Sequence, residues 1–83
     1  MEASAVERDM SKEIGRKIMV YRTGIGMPQW ELAEKVGLTQ PHLSFIEKGQ
    51  RTLSVDALAR IAAAMNCRIV DLLPVSQGGK PII

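Results

Sequence analysis

The chain has 83 residues, a hydrophobic fraction of 46% and a formal net charge of +2, which together predict one small globular domain with an aliphatic core. A domain of this size has no room for a large enclosed active site. Its single cysteine excludes an internal disulfide, one cysteine and one histidine are too few for a structural zinc site, and the apolar runs are too short to span a membrane. The acidic first ten residues lack the apolar centre of a signal peptide, so we expect a cytoplasmic protein.

A first helix is predicted from Ser11 onward, after ten residues without a clear apolar period that we interpret as a flexible N-terminal arm (residues 1–10). Ile14, Ile18 and Tyr21 fall at i, i+4 and i+7, which places them on one stripe of a helix. Ser11 is the candidate N-cap of this helix. Two glycines shortly after Tyr21 end it.

A second helix is predicted to open at Met27-Pro28, because proline suits the first helical position, where its missing N–H is not needed. Gly37 ends this helix. The apolar residues at helical spacing within it are Trp30, Leu32, Ala33 and Val36.

A third helix is predicted from Gln40 to about Lys48, with Thr39 as its N-cap and Gly49 as its end. Pro41 is tolerated there because it lies in the first turn. The inward positions of this helix are Leu43 and Ile46.

A fourth helix, Val55 to Met65, is predicted behind the N-cap Ser54, with Asn66 as a left-handed residue at its C-terminal end. A short fifth helix, Ile69 to Leu73, is stopped by Pro74. The inward positions of the fourth helix are Leu58, Ile61, Ala62 and Met65. We therefore predict an all-α domain over residues 11–74, followed by a C-terminal tail over residues 75–83.

The most specific pattern lies in residues 29–48. Two short helices are joined there by a turn that contains glycine, and the second helix is capped and has polar or small outward positions. A helix-turn-helix needs this arrangement, since its first helix crosses the DNA backbone and its second helix enters the major groove. The modest positive charge permits a nucleic-acid partner without demonstrating one.

Residues 14–73 resemble the phage-repressor, or XRE, family of helix-turn-helix domains. The motifs that carry the resemblance are Gln29-Trp30-Glu31-Leu32-Ala33, Val36-Gly37-Leu38-Thr39, Leu43-Ser44 and Ile46-Glu47-Lys48-Gly49. The resemblance implies a compact five-helix bundle of the lambda-repressor-like type. It also implies a regulator of transcription that binds double-stranded DNA, in the cytoplasm and associated with the nucleoid.

The resemblance assigns base reading to the outward face of the third helix. The residues of this set are Gln40, Pro41, His42 and Phe45. A glutamine can make a bidentate pair with adenine, a histidine can donate to a guanine acceptor, and proline and phenylalanine can contact a thymine methyl group. A single phenylalanine in a helix usually belongs to a core, so the outward place of Phe45 is inferred from spacing alone. The alternative for His42 is a solvated surface residue.

A second set is expected to hold the phosphate backbone. Its members are Gln29, Ser44, Lys48, Gln50 and Arg51. Gln29 lies at the start of a helix, where the backbone N–H groups and the helix dipole favour an anion. Lys48 and Arg51 would release counterions from DNA, although ordinary surface charge is the alternative. A basic cluster on the first helix is interpreted as solvated surface; it consists of Lys12, Arg16 and Lys17.

The resemblance further implies a partly buried ion pair between Arg22 and Glu47, which fixes orientation more than it adds stability. Family members mostly bind as two-fold dimers on near-palindromic sites, with half-sites about 34–36 Å apart. The expected dimer interface consists of Arg68, Ile69, Val70 and Leu73, and the tail is a further candidate dimer contact.

Two departures from the family pattern bear on function. Pro28 stands where the family has a serine or threonine that caps the second helix, so this helix must begin differently. Met19, Val20 and Val70 are apolar where the family tends to be polar, which makes them a candidate partner surface. The alternative function is therefore an antitoxin or a bridging protein-interaction module on the same fold.

An enzyme is not expected, and neither is a cofactor or a metal. No set of nucleophile, base and orienting residue is visible in the sequence. His42 and Ser44 lie only two positions apart on a helix, so their side chains diverge. Cys67 is most simply a core residue.

Overall fold

The computed structural model describes the backbone of residues 5–74 and the side chains of residues 10–74. The predicted tail over residues 75–83, with its dimer contact, lies outside the described residues. Every regular element within the described range is helical. In chain order the elements are α1 (Ala5–Gly24), α2 (Gln29–Val36), α3 (Gln40–Glu47), α4 (Val55–Ala64) and a 3₁₀ helix (Ile69–Leu72). No helix within residues 5–74 is both long and apolar enough to traverse a bilayer.

Helix α1 begins at Ala5, six positions before the predicted start at Ser11. Ser11 consequently lies inside the helix and is not its N-cap. The absence of an apolar period in residues 5–10 did not indicate where the helix begins. A helix that is already nucleated by packing extends at little cost through residues with good helix propensity. The division of the chain into an arm, a domain and a tail stays a prediction.

Pro28 is the N-cap of α2. The prediction that it is the first helical residue is therefore wrong by one position. It has extended dihedral angles (φ −68°, ψ 157°) and no side-chain cap. Its carbonyl oxygen accepts hydrogen bonds from the N–H groups of Glu31 and Leu32 at 3.1 and 3.3 Å. The first turn of α2 is thus capped by a backbone carbonyl alone. This replaces the side-chain cap that a serine or threonine at position 28 would supply.

Helices α3 and α4 have the predicted side-chain caps. The Thr39 side chain accepts from the N–H of His42 at 3.2 Å, and the Ser54 hydroxyl accepts from the N–H of Ala57 at 3.0 Å. Asn66 adopts the predicted left-handed conformation, with φ of 59°. Each helix ends one residue before its predicted limit.

The hydrophobic core is formed by α1 to α4 together with the 3₁₀ helix. Its buried members are Ile18, Leu32, Ala33, Val36, Leu43, Ile46, Leu58, Ile61, Ala62, Met65 and Leu72. The predicted inward positions of α3 and α4 all belong to it. Trp30 does not, since it is 56% exposed. Trp30 lies roughly a third of a turn away from the buried stripe of α2. Helical spacing alone was therefore too loose a criterion for predicting that Trp30 shares the face of Leu32, Ala33 and Val36.

The predicted fifth α-helix is a 3₁₀ helix of four residues, so the described chain has four α-helices. Its hydrogen bonds span three residues, from the N–H of Asp71 to the carbonyl of Arg68 and from the N–H of Leu73 to that of Val70. A segment confined between its cap and Pro74 is too short for a run of α-helical hydrogen bonds. It still buries Leu72 completely.

Candidate nucleic-acid interface

Helices α2 and α3 are joined by three residues and held at a fixed angle by the turn. Gly37 has φ of 76°, a left-handed conformation that other residues adopt at a cost. The N–H groups of Gly37 and Leu38 donate to the carbonyls of Glu34 and Ala33 at 3.3 and 2.9 Å, which closes the end of α2. Leu38 packs against the core. The two helices and their turn therefore form one rigid unit.

One side of α3 faces solvent along its whole length. Leu43 and Ile46 are buried on the opposite side. The exposed positions include all four residues expected to read bases, namely Gln40, Pro41, His42 and Phe45. Phe45, whose outward place was inferred from spacing alone, is 42% exposed. An apolar ring that remains this accessible on a short helix is available for contact with a partner.

A buried ion pair ties the end of α3 to α1. The Nε atom of Arg22 lies 2.7 Å from one carboxylate oxygen of Glu47, and a second guanidinium nitrogen donates to the other oxygen at 3.1 Å. The two residues are only 8% and 6% exposed. Arg22 also donates to the carbonyl of Met27 at 2.9 Å, which holds the α1–α2 loop. This bidentate geometry sets the orientation of α3 against the bundle.

Two glutamines extend this pair to the surface. The Gln29 amide donates to Glu47 at 3.0 Å, and the Gln40 amide donates to the oxygen of Gln29 at 3.3 Å. Because a carboxylate only accepts, the amide nitrogen of Gln29 must face Glu47 and its oxygen must face Gln40. The first residues of α2 and α3 are thus oriented by a chain of hydrogen bonds that starts at a buried charge. Sequence reasoning named all four residues but did not foresee that they are connected.

The residues that the sequence predicts to bind phosphate lie in two main places. Gln29 starts α2, where the first backbone N–H groups have no acceptor within the helix. The turn after α3 exposes Lys48, Gln50 and Arg51. In this turn the backbone N–H of Gln50 donates to the carbonyl of Phe45 at 2.8 Å. Ser44, on α3, is half-buried. Lys48 and Arg51 form no ion pair with any residue that the structure describes.

The residues of the predicted dimer interface differ in exposure. Ile69 and Leu73 are half-buried against the core, whereas Val70 is 59% exposed. The guanidinium of Arg68 bonds to the carboxylate of Asp71 at 3.2 Å, and this hydrogen bond lowers the pKa of Asp71 below its ordinary value. Partial burial, together with the negative charge of Asp71, raises the pKa of the half-buried Cys67 thiol above its ordinary value.

A family profile described as helix-turn-helix matches residues 18–72, which is more than half of the chain. The chain belongs to the helix-turn-helix family. An uncharacterized HTH-type transcriptional regulator of Archaeoglobus fulgidus is 41% identical over 56 residues, which cover 68% of this chain and 80% of that protein. This helix-turn-helix protein is accordingly a member of a family of DNA-binding transcriptional regulators, whose partner is double-stranded DNA.

Solved structures of regulators are similar to this helix-turn-helix protein. The restriction-modification controller protein C.AhdI from Aeromonas hydrophila superposes with a TM-score of 0.72 at 27% identity, covering 75% of this chain and 94% of that one. The clp gene regulator ClgR from Corynebacterium glutamicum gives a TM-score of 0.73 at 26% identity. That match covers 75% of this chain and 66% of the ClgR chain.

An enzyme also contains a similar fold. Hydroxypropylphosphonic acid epoxidase from S. wedmorenis superposes on 92% of this chain with a TM-score of 0.78, but the match covers only 42% of the epoxidase. The identity is 23%, so this likeness concerns the fold alone. The family and the relatives of the helix-turn-helix protein are regulators of transcription and not enzymes.

Proposed function

We propose that this helix-turn-helix protein binds duplex DNA sequence-specifically and regulates transcription by occupying an operator, which is the action of a repressor. The exposed side of α3 enters the major groove, while the start of α2 and the α3–α4 turn hold the phosphates on either side. The observation that carries this proposal is the hydrogen-bond chain from Glu47 through Gln29 to Gln40. It holds a phosphate-facing amide and a base-facing amide in one arrangement before any DNA is bound.

Gln40 is the strongest candidate for direct base reading. Its amide nitrogen uses one of its two hydrogens toward Gln29, so the other hydrogen and the carbonyl oxygen remain available. These are the two groups that a bidentate contact with adenine requires. His42, Pro41 and Phe45 lie beside it on the exposed side and supply a donor and two apolar surfaces.

The phosphate contacts fix the register of α3 on the duplex. Gln29 offers its backbone N–H at the positive end of the α2 dipole. Lys48 and Arg51 offer cations without a carboxylate partner among the described residues, and Gln50 and Ser44 offer neutral donors. Contacts of this kind position the protein without reading sequence.

A homodimer on a near-palindromic operator completes the proposal. One short helix reads only a few base pairs, and a second copy doubles the site when the half-sites lie about 34–36 Å apart. The exposed Val70, flanked by Arg68 and by the edges of Ile69 and Leu73, is the candidate contact. With DNA as its partner, the protein acts in the cytoplasm, at the nucleoid.

Selection of bound sequences from a random pool of duplex DNA tests this proposal. We expect a near-palindromic consensus, and we expect the logarithm of the binding constant to fall steeply with the logarithm of the salt concentration because several phosphates are neutralised. Absence of binding to duplex DNA at about 50 mM salt would overturn the proposal, since non-specific phosphate contacts alone give measurable affinity there.

A protein-interaction module on the same fold is the second candidate. The observation that favours it is the exposure of Val20 and Val70 at 54% and 59%, with Met19 also exposed beside Val20 on α1. This function requires no affinity for duplex DNA. The same selection experiment therefore separates the two candidates, since a module of this kind would enrich no consensus and show no dependence on salt.

A further inference from the structure

Helix α1 passes directly over the turn that follows α3, at Gly49. A Cβ atom on Gly49 would lie 2.6 Å from both the Cα and the Cγ atoms of Lys12. Gly49 also has φ of 76°, so the position demands glycine for two independent reasons. The stem of Lys12 therefore rests on the same turn that carries Lys48 and Arg51.

The position of Lys12 is set by backbone packing on both sides of the crossing. One turn further along α1, a Cβ atom on Gly15 would collide with the carbonyl oxygens of Ile46 and Glu47, so α1 and the end of α3 are in direct backbone contact there. Further along α1, the buried ion pair of Arg22 with Glu47 also joins this helix to the end of α3. Lys12 thus has a fixed place relative to α3 and is not merely a charge on a free surface.

Three exposed side chains around this turn are positively charged. Lys12, Lys48 and Arg51 are exposed, and none of them pairs with a carboxylate within the described residues. Glu13, the acid next to Lys12, is occupied by Arg16 at 2.9 Å. The other exposed ion pairs of the described chain, Arg60 with Asp56 and Arg68 with Asp71, lie on α4 and at the 3₁₀ helix.

Three cations surround one tight turn, and none has a carboxylate partner among the described residues. They match the chemistry of a phosphodiester backbone, which presents a negative charge about every 1.7 Å along the duplex axis. Building on the proposed DNA binding, we infer that Lys12 is an additional phosphate contact. The DNA-binding surface then extends from the helix-turn-helix unit onto α1, to a residue outside the matched range 18–72. This replaces the interpretation of Lys12 as solvated surface.

The test compares Lys12→Gln with Lys17→Gln on the duplex that the wild-type protein selects. Lys17 lies on the same helix but lines a groove with Tyr21 and Asp71 on the side of the 3₁₀ helix, which makes it a matched control. We expect Lys12→Gln to reduce the slope of log K against log salt by about 0.9, the value for one phosphate contact. We also expect it to weaken specific and unrelated duplexes by the same factor. Lys17→Gln keeps the wild-type slope, and Lys12→Arg keeps the slope because it keeps the charge.

The outcomes separate this inference from the function on which it rests. If the wild-type chain binds no duplex, the proposed function fails. If the wild-type chain binds and Lys12→Gln has the same slope and affinity as Lys17→Gln, only the role of Lys12 fails. Thermal unfolding of each variant, followed by circular dichroism, shows whether a loss of binding comes from a loss of folding. The contact is supported if Lys12→Arg binds like the wild-type protein and Lys12→Gln has a salt slope reduced by about 0.9.

Discussion

Glu47 is the residue on which the interface is organised. It is almost completely buried, and it accepts two hydrogen bonds from Arg22 and one from Gln29. A buried carboxylate with these partners is fully satisfied, whereas the same carboxylate without its arginine would be an uncompensated charge in a poor solvent for ions. The geometry of the exposed glutamines depends on this pair remaining intact.

Removal of Arg22 should therefore be costly. We expect Arg22→Met to lower the free energy of unfolding by about 3–5 kcal/mol at neutral pH, because Glu47 is left buried without its counter-ion. Urea unfolding followed by circular dichroism measures this loss. The double variant Arg22→Met with Glu47→Met should recover much of it, since the charge is then absent.

The exposed pair of Arg60 with Asp56 supplies the control for that measurement. Both side chains are largely exposed and 2.7 Å apart on α4. We expect Arg60→Met to change the free energy of unfolding by less than about 1 kcal/mol, as for other surface pairs. Equal losses in Arg22→Met and Arg60→Met would contradict the structural role given to the buried pair.

The division between base reading and phosphate binding is also tested at single residues. Gln40→Ala should relax the preference at one base position of the selected site, at a cost of about 1–3 kcal/mol in binding free energy. Lys48→Ala should weaken all duplexes alike and lower the salt slope. Binding titrations on the selected duplex and on its single-base variants measure both effects, and the same response in the two variants would show the division to be wrong.

Helix ends decide the geometry at the scale of elements. A left-handed glycine follows each of α2 and α3. Gly37 comes directly after α2 and Gly49 two residues after the end of α3, and each has φ of 76°. Their surroundings differ, because nothing lies within 4 Å of a Cβ atom on Gly37, whereas α1 lies against Gly49. Gly37 is thus required only by the left-handed conformation of its turn. Gly49 is required both by that conformation and by the close approach of α1.

This difference predicts unequal effects of one substitution. Gly37→Ala should cost about 1–2 kcal/mol of unfolding free energy, the ordinary penalty of a left-handed alanine. Gly49→Ala carries the same penalty and also forces the backbone at Lys12 to move, so it should cost clearly more and weaken DNA binding. Urea unfolding of the two variants makes the comparison, and equal losses would argue against a tight crossing at Gly49.

At the scale of the whole molecule, the two proposed contact surfaces involve different elements. The three cations around the α3–α4 turn mark the side proposed for DNA, while Val20 and Val70 are exposed on α1 and the 3₁₀ helix. A dimer that uses the latter surface leaves α3 free in both copies, which is what a two-fold operator requires.

A charge in this surface tests the proposed dimer. Val70→Asp should yield a monomer in sedimentation experiments and reduce affinity for the full palindromic site by roughly 10²-fold or more, since the linked second half-site is lost. Binding to a single half-site should be unchanged. Ile25→Asp, at another exposed apolar position, is the control. A dimeric Val70→Asp protein with wild-type affinity would exclude this interface.

Much of the fold was accessible from local pattern. The caps Thr39 and Ser54, the terminating glycines and the buried stripes of α3 and α4 depend on neighbours within one or two turns, so spacing and residue type suffice. The start of α1 and the 3₁₀ helix were less accessible, because the extension or shortening of a helix reflects packing and confinement more than periodicity.

The sequence by itself determined that this chain forms a helix-turn-helix unit and which side chains face outward from α3, because helical period and capping are local properties. Tertiary structure alone decided that Trp30 remains exposed, that Glu47, Gln29 and Gln40 form one hydrogen-bond chain, and that Lys12 rests on Gly49. Each of these depends on the approach of segments that are distant in the chain, and that approach is set by the packing of the core and by two glycines that allow backbones to touch.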